Sequence, residues 1–181
     1  MKRISKDSPL LFLTFVTNHR LPVFRTSEFA KIAATAFDEA RRSGSFTIHA
    51  YAIMPDHVHM VTGNERKPSD ILRFLKGISA RRVIGHLKDK GHGKSLAKLR
   101  VNSRSGTGTH SLWQHHSNTF LITSEHVLLQ KVNYIHLNPV KEGLVDFPSD
   151  FQFTSARIWE GSPKDDEPLE VDFKEILWSS R

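Results

Sequence analysis

Cysteine is absent from the 181 residues of this sequence. Its absence excludes disulfide bonds, zinc–thiolate sites and thiol nucleophiles, and it agrees with a reducing compartment, so we expect a cytoplasmic protein. No apolar run approaches the roughly 20 residues that a membrane span requires, and the opening stretch MKRISKDSPLLFLTF lacks the cleavage region of a signal peptide. We therefore expect no membrane partner.

Acidic side chains are also scarce relative to basic ones. The sequence has 19 Asp and Glu against 26 Lys and Arg, which gives a formal net charge of +7. This excess favours a polyanionic partner, most simply nucleic acid. The length suits one compact domain with its own core. We expect that domain over residues 1–160 and a C-terminal tail over 161–181.

Hydrophobic periodicity, capping residues and turn residues predict six successive elements. They are a buried strand over 10–16, a helix from Thr26 or Ser27 to a C-cap at Gly44, strands over 46–54 and 57–62, a helix from Pro68 to about Lys88, and a strand over 112–122 that is bulged around Ser117 and Asn118. Their order is the ferredoxin-like βαββαβ pattern, an α+β fold whose antiparallel sheet has helices on one face. Because this fold supports many activities, function must be argued from a site.

Three further segments complete the prediction. Residues 91–111 are rich in Gly, Ser, Lys and Arg and predict a flexible basic loop; a plain solvated insertion is the alternative. A C-terminal helix is expected from a Ser124 cap to about Leu137, where Pro139 would stop it. The stretch VDFKEILWSS predicts a terminal helical turn.

Two histidines, His57 and His59, lie in the predicted third strand. Side chains two positions apart point to the same face of a strand, so both imidazoles project together, while Val58 and Met60 face the other way. Such a pair of neutral imidazoles can share one divalent cation. Because the chain has 11 histidines, a chance pair without metal is the alternative.

Tyr134 and Asn138 are four residues apart and share one face of the predicted C-terminal helix, whose apolar stripe belongs to other residues. We expect Asn138 at the helix terminus because it precedes Pro139. A phenol and an amide oxygen on one face are suited to act as nucleophile and third metal ligand. Alternatively, Tyr134 only packs with its hydroxyl in water, and Asn138 only ends the helix.

The two stretches MPDHVH and YIHLNPVKEGLV, in this order and within a basic ferredoxin-like pattern, resemble the single-tyrosine HUH transposases, the IS200-like family. The chain is most similar to the branch associated with repetitive extragenic palindromes (REP). The resemblance runs from about Leu10 to Ala156 and includes NHRLPVF at 18–24 and LWQ at 112–114.

The resemblance implies a role for each matching residue. His57 and His59 match the metal ligands, Tyr134 matches the nucleophile, and Asn138 matches the residue whose amide completes the metal site. The family more often has Asn where this chain has Asp56. We expect Asp56 to shape the turn, since Asp is a common turn residue, although an added carboxylate near the metal is the alternative.

The implied activity is metal-dependent cleavage and rejoining of single-stranded DNA near hairpins or palindromes, through a 5′-phosphotyrosine intermediate. A tyrosine with a reference pKa of about 10 is a poor nucleophile at neutral pH, so Mg²⁺ or Mn²⁺ would be needed to stabilise the charge of the attack. The protein would then be a nucleoid-associated monomer or homodimer. The alternatives are a non-catalytic nucleic-acid-binding relative and a metal-dependent nuclease that uses water.

Basic side chains on the second helix and in the predicted loop are candidates for contacts to DNA phosphates. They are Lys76, Arg81 and Arg82 on the helix and Lys94, Lys98, Arg100 and Arg104 in the loop. A solvated basic surface is the alternative for each of them.

Overall fold

The computed structural model describes residues 2–102 and 109–178. The main elements are, in chain order, β1 (Leu10–Thr17), α1 (Ser27–Gly44), β2 (Ile48–Ile53), β3 (His57–Thr62), α2 (Pro68–Asp89), α3 (Gly93–Lys98), β4 (Trp113–Ile122), α4 (Glu125–Lys141) and α5 (Ala156–Trp159). Two-residue strands pair Lys2–Arg3 with Ile176–Leu177 and Arg100–Val101 with Thr109–His110. Short 3₁₀ turns cover 18–20, 23–25, 148–150 and 173–175.

Four antiparallel strands form the central sheet in the order β2-β3-β1-β4. This order and the chain sequence βαββαβ confirm the ferredoxin-like α+β prediction. The apolar strand β1 is central and pairs Thr14 with His59 and Phe15 with Val58. The predicted irregularity of β4 is present as a register shift between Trp113 and Ser117.

The sheet has two apolar faces because side chains alternate along each strand. Helices α1 and α2 cover one face, where Leu13, Phe15 and Met60 belong to the larger core. Helix α4 lies on the opposite face, and its Leu128, Val132 and Ile135 belong to a second core with residues of all four strands. The fold therefore sandwiches the sheet between α1 and α2 on one side and the tyrosine-bearing helix on the other.

Helix α4 extends further than the sequence predicts. It runs through Pro139 to Lys141, and the expectation that Pro139 stops the helix near Leu137 is wrong. A proline removes its own N–H from the helical ladder and its ring crowds the carbonyl four residues earlier. The ladder nevertheless continues after Pro139, because the Glu142 amide donates to the Asn138 carbonyl at 3.0 Å. Asn138 therefore lies inside the helix and is buried, rather than at its terminus.

Two other predicted boundaries differ from the structure. Helix α1 ends with Gly44 as its last helical residue, and Ser45 takes the left-handed capping conformation with φ +50°. Gly44 is buried where a Cβ would meet the Phe46 ring at 2.7 Å, so glycine is required there by packing. The region 91–111 is not wholly a loop, because it contains α3, the buried Leu99 and the paired strands Arg100–Val101 and Thr109–His110.

The C-terminal segment packs on the domain in its described part, up to residue 178. The Asp172 carboxylate accepts from the Arg41 guanidinium and, at 2.8 Å, from the Ile48 amide, while Leu169 and Ile176 are buried. Where a helical turn was expected, the chain forms a 3₁₀ turn over 173–175 and the short strand Ile176–Leu177. This segment covers the outer side of β2.

Candidate active site

The two histidines predicted to act together lie side by side on β3. Their ring centroids are 4.8 Å apart, and both side chains are buried on the face of the sheet that α4 covers. Val58 and Met60 belong to the core on the other face. The prediction from strand periodicity is confirmed for the orientation of these four side chains.

Each imidazole has an oxygen partner at its Nδ1 nitrogen. His57 Nδ1 lies 2.6 Å from Asp56 Oδ1, and His59 Nδ1 lies 2.8 Å from Thr14 Oγ1. When Nδ1 carries the ring proton and donates it to these oxygens, Nε2 keeps its lone pair, which is the form that binds a metal. The ionised Asp56 carboxylate can only accept, so it favours this tautomer for His57, and the Thr14 hydroxyl, which can accept or donate, is compatible with it for His59.

The electrostatics of the pair follow from its burial. Burial, assisted by the nearby His57 and Lys131, lowers the pKa of His59 to about 3, so this ring is neutral at pH 7. Burial would raise the pKa of Asp56, but hydrogen bonds from His57 and Arg20 outweigh it and leave this pKa below the ordinary value. The site therefore combines a neutral His59 with an ionised Asp56.

Tyr134 lies on α4 directly beside the histidines. Its ring meets the His59 ring edge to face with 5.2 Å between centroids, and 42% of the residue is exposed. Phe12 of β1 stacks on His59 at 5.7 Å and meets the edge of Tyr134 at 6.1 Å. Lys141 Nζ lies 5.3 Å from the Tyr134 centroid. The phenol is thus accessible at the rim of a buried imidazole pair.

Helix periodicity arranges further polar side chains beside Tyr134. Asn138, one turn further along, is buried, and Glu142, two turns further, is exposed. Glu142 Oε1 lies 3.9 Å from His57 Nε2. Residues i, i+4 and i+8 share one helix face, so α4 presents a phenol, an amide and a carboxylate in one row.

Sequence reasoning missed four residues of this site. Thr14, Phe12, Lys131 and Glu142 were not singled out, and Asp56 was expected to shape the turn, with an added carboxylate near the metal as the alternative. Thr14 carried a signal, since it is the single polar residue in the apolar run Leu10–Val16. Glu142 carried one too, at the same helical spacing that linked Tyr134 to Asn138.

The donor set fits a divalent cation in its chemistry. Two imidazoles with engaged Nδ1 atoms lie beside the helix that carries a buried amide, Asn138, and imidazole and oxygen donors suit Mn²⁺ and Mg²⁺. Over residues 2–102 and 109–178, no three His, Cys, Asp or Glu side chains form a metal-binding group by themselves. A cation here would therefore need the amide, a movable carboxylate or a substrate oxygen.

The predicted DNA-contacting side chains of α2 have partners within the chain. Lys76 Nζ donates to Gln114 O, His115 O and Ser117 Oγ at 2.7, 3.1 and 3.1 Å, and burial lowers its pKa. Its three N–H groups are thereby used within the protein. Arg81 and Arg82 form ion pairs with Glu39 of α1 at 3.7 and 2.9 Å, and both remain exposed.

The basic candidates beyond α2 are exposed wherever the structure describes them. Lys94, Lys98 and Arg100 are exposed, and Arg104 lies outside the described residues. A groove of about 760 Å³ lies between α2 and the start of β4, lined by Arg73, Lys76, His115 and His116 among others. Its lining comes from α2 and residues 110–117 and does not include His57 or His59.

No helix within the described ranges combines the length and apolar character that crossing a membrane requires.

The sequence of this chain is similar to that of one protein family and one known protein. The model of the family described as "Transposase IS200 like" matches residues 10–98, which include His57 and His59 and end before Tyr134. A Haemophilus influenzae protein described as "Putative REP-associated tyrosine transposase" is 26% identical over 149 residues, which are 81% of this chain and 78% of that protein.

A solved REP-associated tyrosine transposase bound to a REP hairpin has a similar fold. The TM-score is 0.62 with 19% identity, and the alignment covers 96% of this chain and 91% of the other. These findings confirm the resemblance found in the motifs: the IS200-like transposase model matches this chain over residues 10–98.

Proposed function

We propose that this protein is a metal-dependent transposase that cleaves and rejoins single-stranded DNA near hairpins through a 5′-phosphotyrosine intermediate. One observation carries the proposal: an exposed tyrosine, Tyr134, lies with its ring 5.2 Å from one of two adjacent buried imidazoles, His59. The similarity of residues 10–98 to the IS200-like transposases supports the same activity.

Tyr134 is the proposed nucleophile. Its oxygen attacks a backbone phosphorus and loses its proton, the bond from phosphorus to the 3′ oxygen breaks, and that oxygen gains a proton. The product is a 5′-phosphate on Tyr134 and a free 3′-hydroxyl, and the 3′-hydroxyl of another strand reverses the step. Because the phosphodiester bond is conserved, rejoining needs no nucleotide cofactor.

His57, His59 and Asn138 are the proposed ligands of Mg²⁺ or Mn²⁺. The bound ion would supply stabilisation of the negative charge on the phosphoryl oxygens. The protein orients the two imidazoles through Asp56 and Thr14, which hold their Nδ1 atoms. Lys141, whose ammonium lies near the Tyr134 ring, adds positive charge where the phosphate would approach.

The proposed substrate is a single strand that carries a hairpin. The net charge of +7 supports binding of a polyanion, and the structurally similar transposase is bound to a REP hairpin. A flexible strand can bring its phosphate in line with a tyrosine on a helix, whereas a rigid duplex restricts that approach. The exposed side chains of Arg81, Arg82, Lys94 and Lys98 are further candidates for phosphate contacts.

A denaturing gel tests the proposal and separates it from its two alternatives. The purified protein is incubated with hairpin-bearing single strands and Mn²⁺, alongside a His57→Ala variant. We expect a covalent protein–DNA adduct with the wild type and none with the variant, which should fold normally without metal. Free cleaved ends without an adduct would indicate a water-using nuclease, and binding without cutting would indicate a non-catalytic relative; either result contradicts the proposal.

A further inference from the structure

Glu142 occupies a fixed position at the C-terminal end of α4. The next residue, Gly143, has φ +68° and its amide donates to the Val140 carbonyl at 3.0 Å, while the Leu144 amide donates to the Pro139 carbonyl at 2.9 Å. These two bonds form a Schellman motif, which caps the helix. The backbone of Glu142 is thereby fixed, whereas its side chain can change rotamer.

That side chain is directed at the histidine pair. Glu142 Oε1 lies 3.9 Å from His57 Nε2, the ring nitrogen opposite the Asp56 bond. The carboxylate is 43% exposed, so it can change rotamer without leaving a packed core. It thus stands on the metal-binding side of His57, whereas Asp56 stands behind the ring.

Helix stability does not account for a glutamate at this position. The C-terminal end of a helix carries partial negative charge, so an anionic side chain there is electrostatically unfavourable. The described ion-pair partner of the Glu142 carboxylate is His57, at the long distance of 3.9 Å. A cation between the two groups would offset the repulsion and explain why the charge is tolerated.

We propose that Glu142 is a ligand of the divalent cation, and supplies the anionic oxygen that the other ligands lack; the inference rests on the proposed function. His57, His59 and Asn138 contribute neutral donors, whereas Mg²⁺ and Mn²⁺ favour carboxylate oxygens. Neighbouring donors around an octahedral ion at 2.0–2.1 Å lie about 3 Å apart. The observed 3.9 Å therefore closes with a movement of about 1 Å.

Mn²⁺ titration without DNA tests this assignment independently of activity. Calorimetry or the EPR signal of free Mn²⁺ measures Kd for the wild type, Glu142→Ala, His57→Ala and a matched control, Glu160→Ala. Glu160 is also an exposed glutamate at a helix C-cap, that of α5, and it is followed by a glycine with positive φ. Thermal unfolding without metal checks that each variant is folded.

We expect Glu142→Ala to weaken Mn²⁺ binding about tenfold or more, since even the loss of an outer-shell partner costs roughly 10–100-fold. Glu160→Ala should bind as the wild type does, and His57→Ala should not bind. Wild-type affinity in Glu142→Ala together with loss in His57→Ala would overturn the role of Glu142 and leave the proposed metal site intact. No Mn²⁺ binding by the wild type would overturn both.

Discussion

The Nδ1 nitrogen of His57 lies 2.6 Å from Oδ1 of Asp56, whose other oxygen, Oδ2, lies 3.1 Å from Arg20. The carboxylate is therefore held from one side by a guanidinium and holds the imidazole on the other. Asp56 does more than shape the turn before β3, because it fixes the orientation of His57 and favours the proton on Nδ1. Nε2, the nitrogen proposed to bind the metal, is on the opposite side of the ring from this bond.

A graded series at Asp56 tests this orienting role. We expect Asp56→Asn to keep most of the Mn²⁺ affinity, because an amide oxygen can accept the same bond, and Asp56→Ala to lose about tenfold or more. Calorimetric titration measures both, and thermal unfolding without metal reports the cost to the turn. Equal affinities in all three proteins would restrict Asp56 to a turn-forming role.

The two tyrosines of the chain offer a matched pair of substitutions. Tyr134→Phe should abolish the covalent adduct, while stability changes by about 1 kcal/mol or less because the phenol is exposed. Tyr51 is fully buried in the core, and burial raises its pKa. Tyr51→Phe should therefore leave cleavage intact.

Denaturing gels and mass spectrometry of the trapped adduct check both tyrosine variants. The nucleotide should be found on the peptide that contains Tyr134. Cutting by Tyr134→Phe at the wild-type rate would show that water attacks, and the transposase mechanism would then be wrong for this chain.

Buried His136 predicts loss of stability in mild acid. Its Nε2 lies 2.9 Å from Ser155 Oγ, and burial lowers its pKa to about 4, against an unfolded value of about 6.5. As pH falls from about 6.5 towards 4, His136 becomes protonated in the unfolded chain but stays neutral in the folded protein. The folded state should lose up to about 3 kcal/mol from this residue over that window.

Denaturant unfolding of the wild type and His136→Gln from pH 7.5 to about 4 isolates this effect, because the other titrating groups are common to both proteins. The wild type should lose the larger part of its free energy of unfolding. Parallel curves for the two proteins would mean that His136 titrates alike in the folded and unfolded states.

Lys76 should matter for stability rather than for DNA affinity. Lys76→Met removes the three bonds to Gln114, His115 and Ser117, and we expect a loss of about 1–3 kcal/mol in the free energy of unfolding. The dependence of DNA affinity on salt should not change, since a lost phosphate contact would lower the slope by about 0.7 for a single strand. Lys88→Met, an exposed position on α2, controls for the lost charge.

Unfolding curves and DNA titrations at several salt concentrations measure both quantities. If the DNA affinity of Lys76→Met alone depends less on salt and its stability is unchanged, Lys76 contacts a DNA phosphate, as its position in the sequence suggested.

The sequence by itself determined the elements and the direction of their side chains. Period-two alternation directed His57 and His59 to one face of β3, Ser124 capped α4, and the apolar stripe of Leu128, Val132 and Ile135 fixed which side of α4 meets the sheet. These properties depend on neighbours a few residues apart, whose geometry is set by the backbone. They were therefore predictable without knowledge of the fold.

Only the tertiary structure decided which side chains meet. The pairing of β1 with β3 brings Thr14 to His59 Nδ1 across 45 positions, and three hydrogen bonds from Lys76 hold its ammonium against β4. In the folded protein α4 also continues past Pro139. Asn138 is therefore buried inside the helix, and the Glu142 carboxylate lies 3.9 Å from His57 Nε2. Such contacts depend on strand order and on the direction in which helices pack, and local periodicity does not specify either.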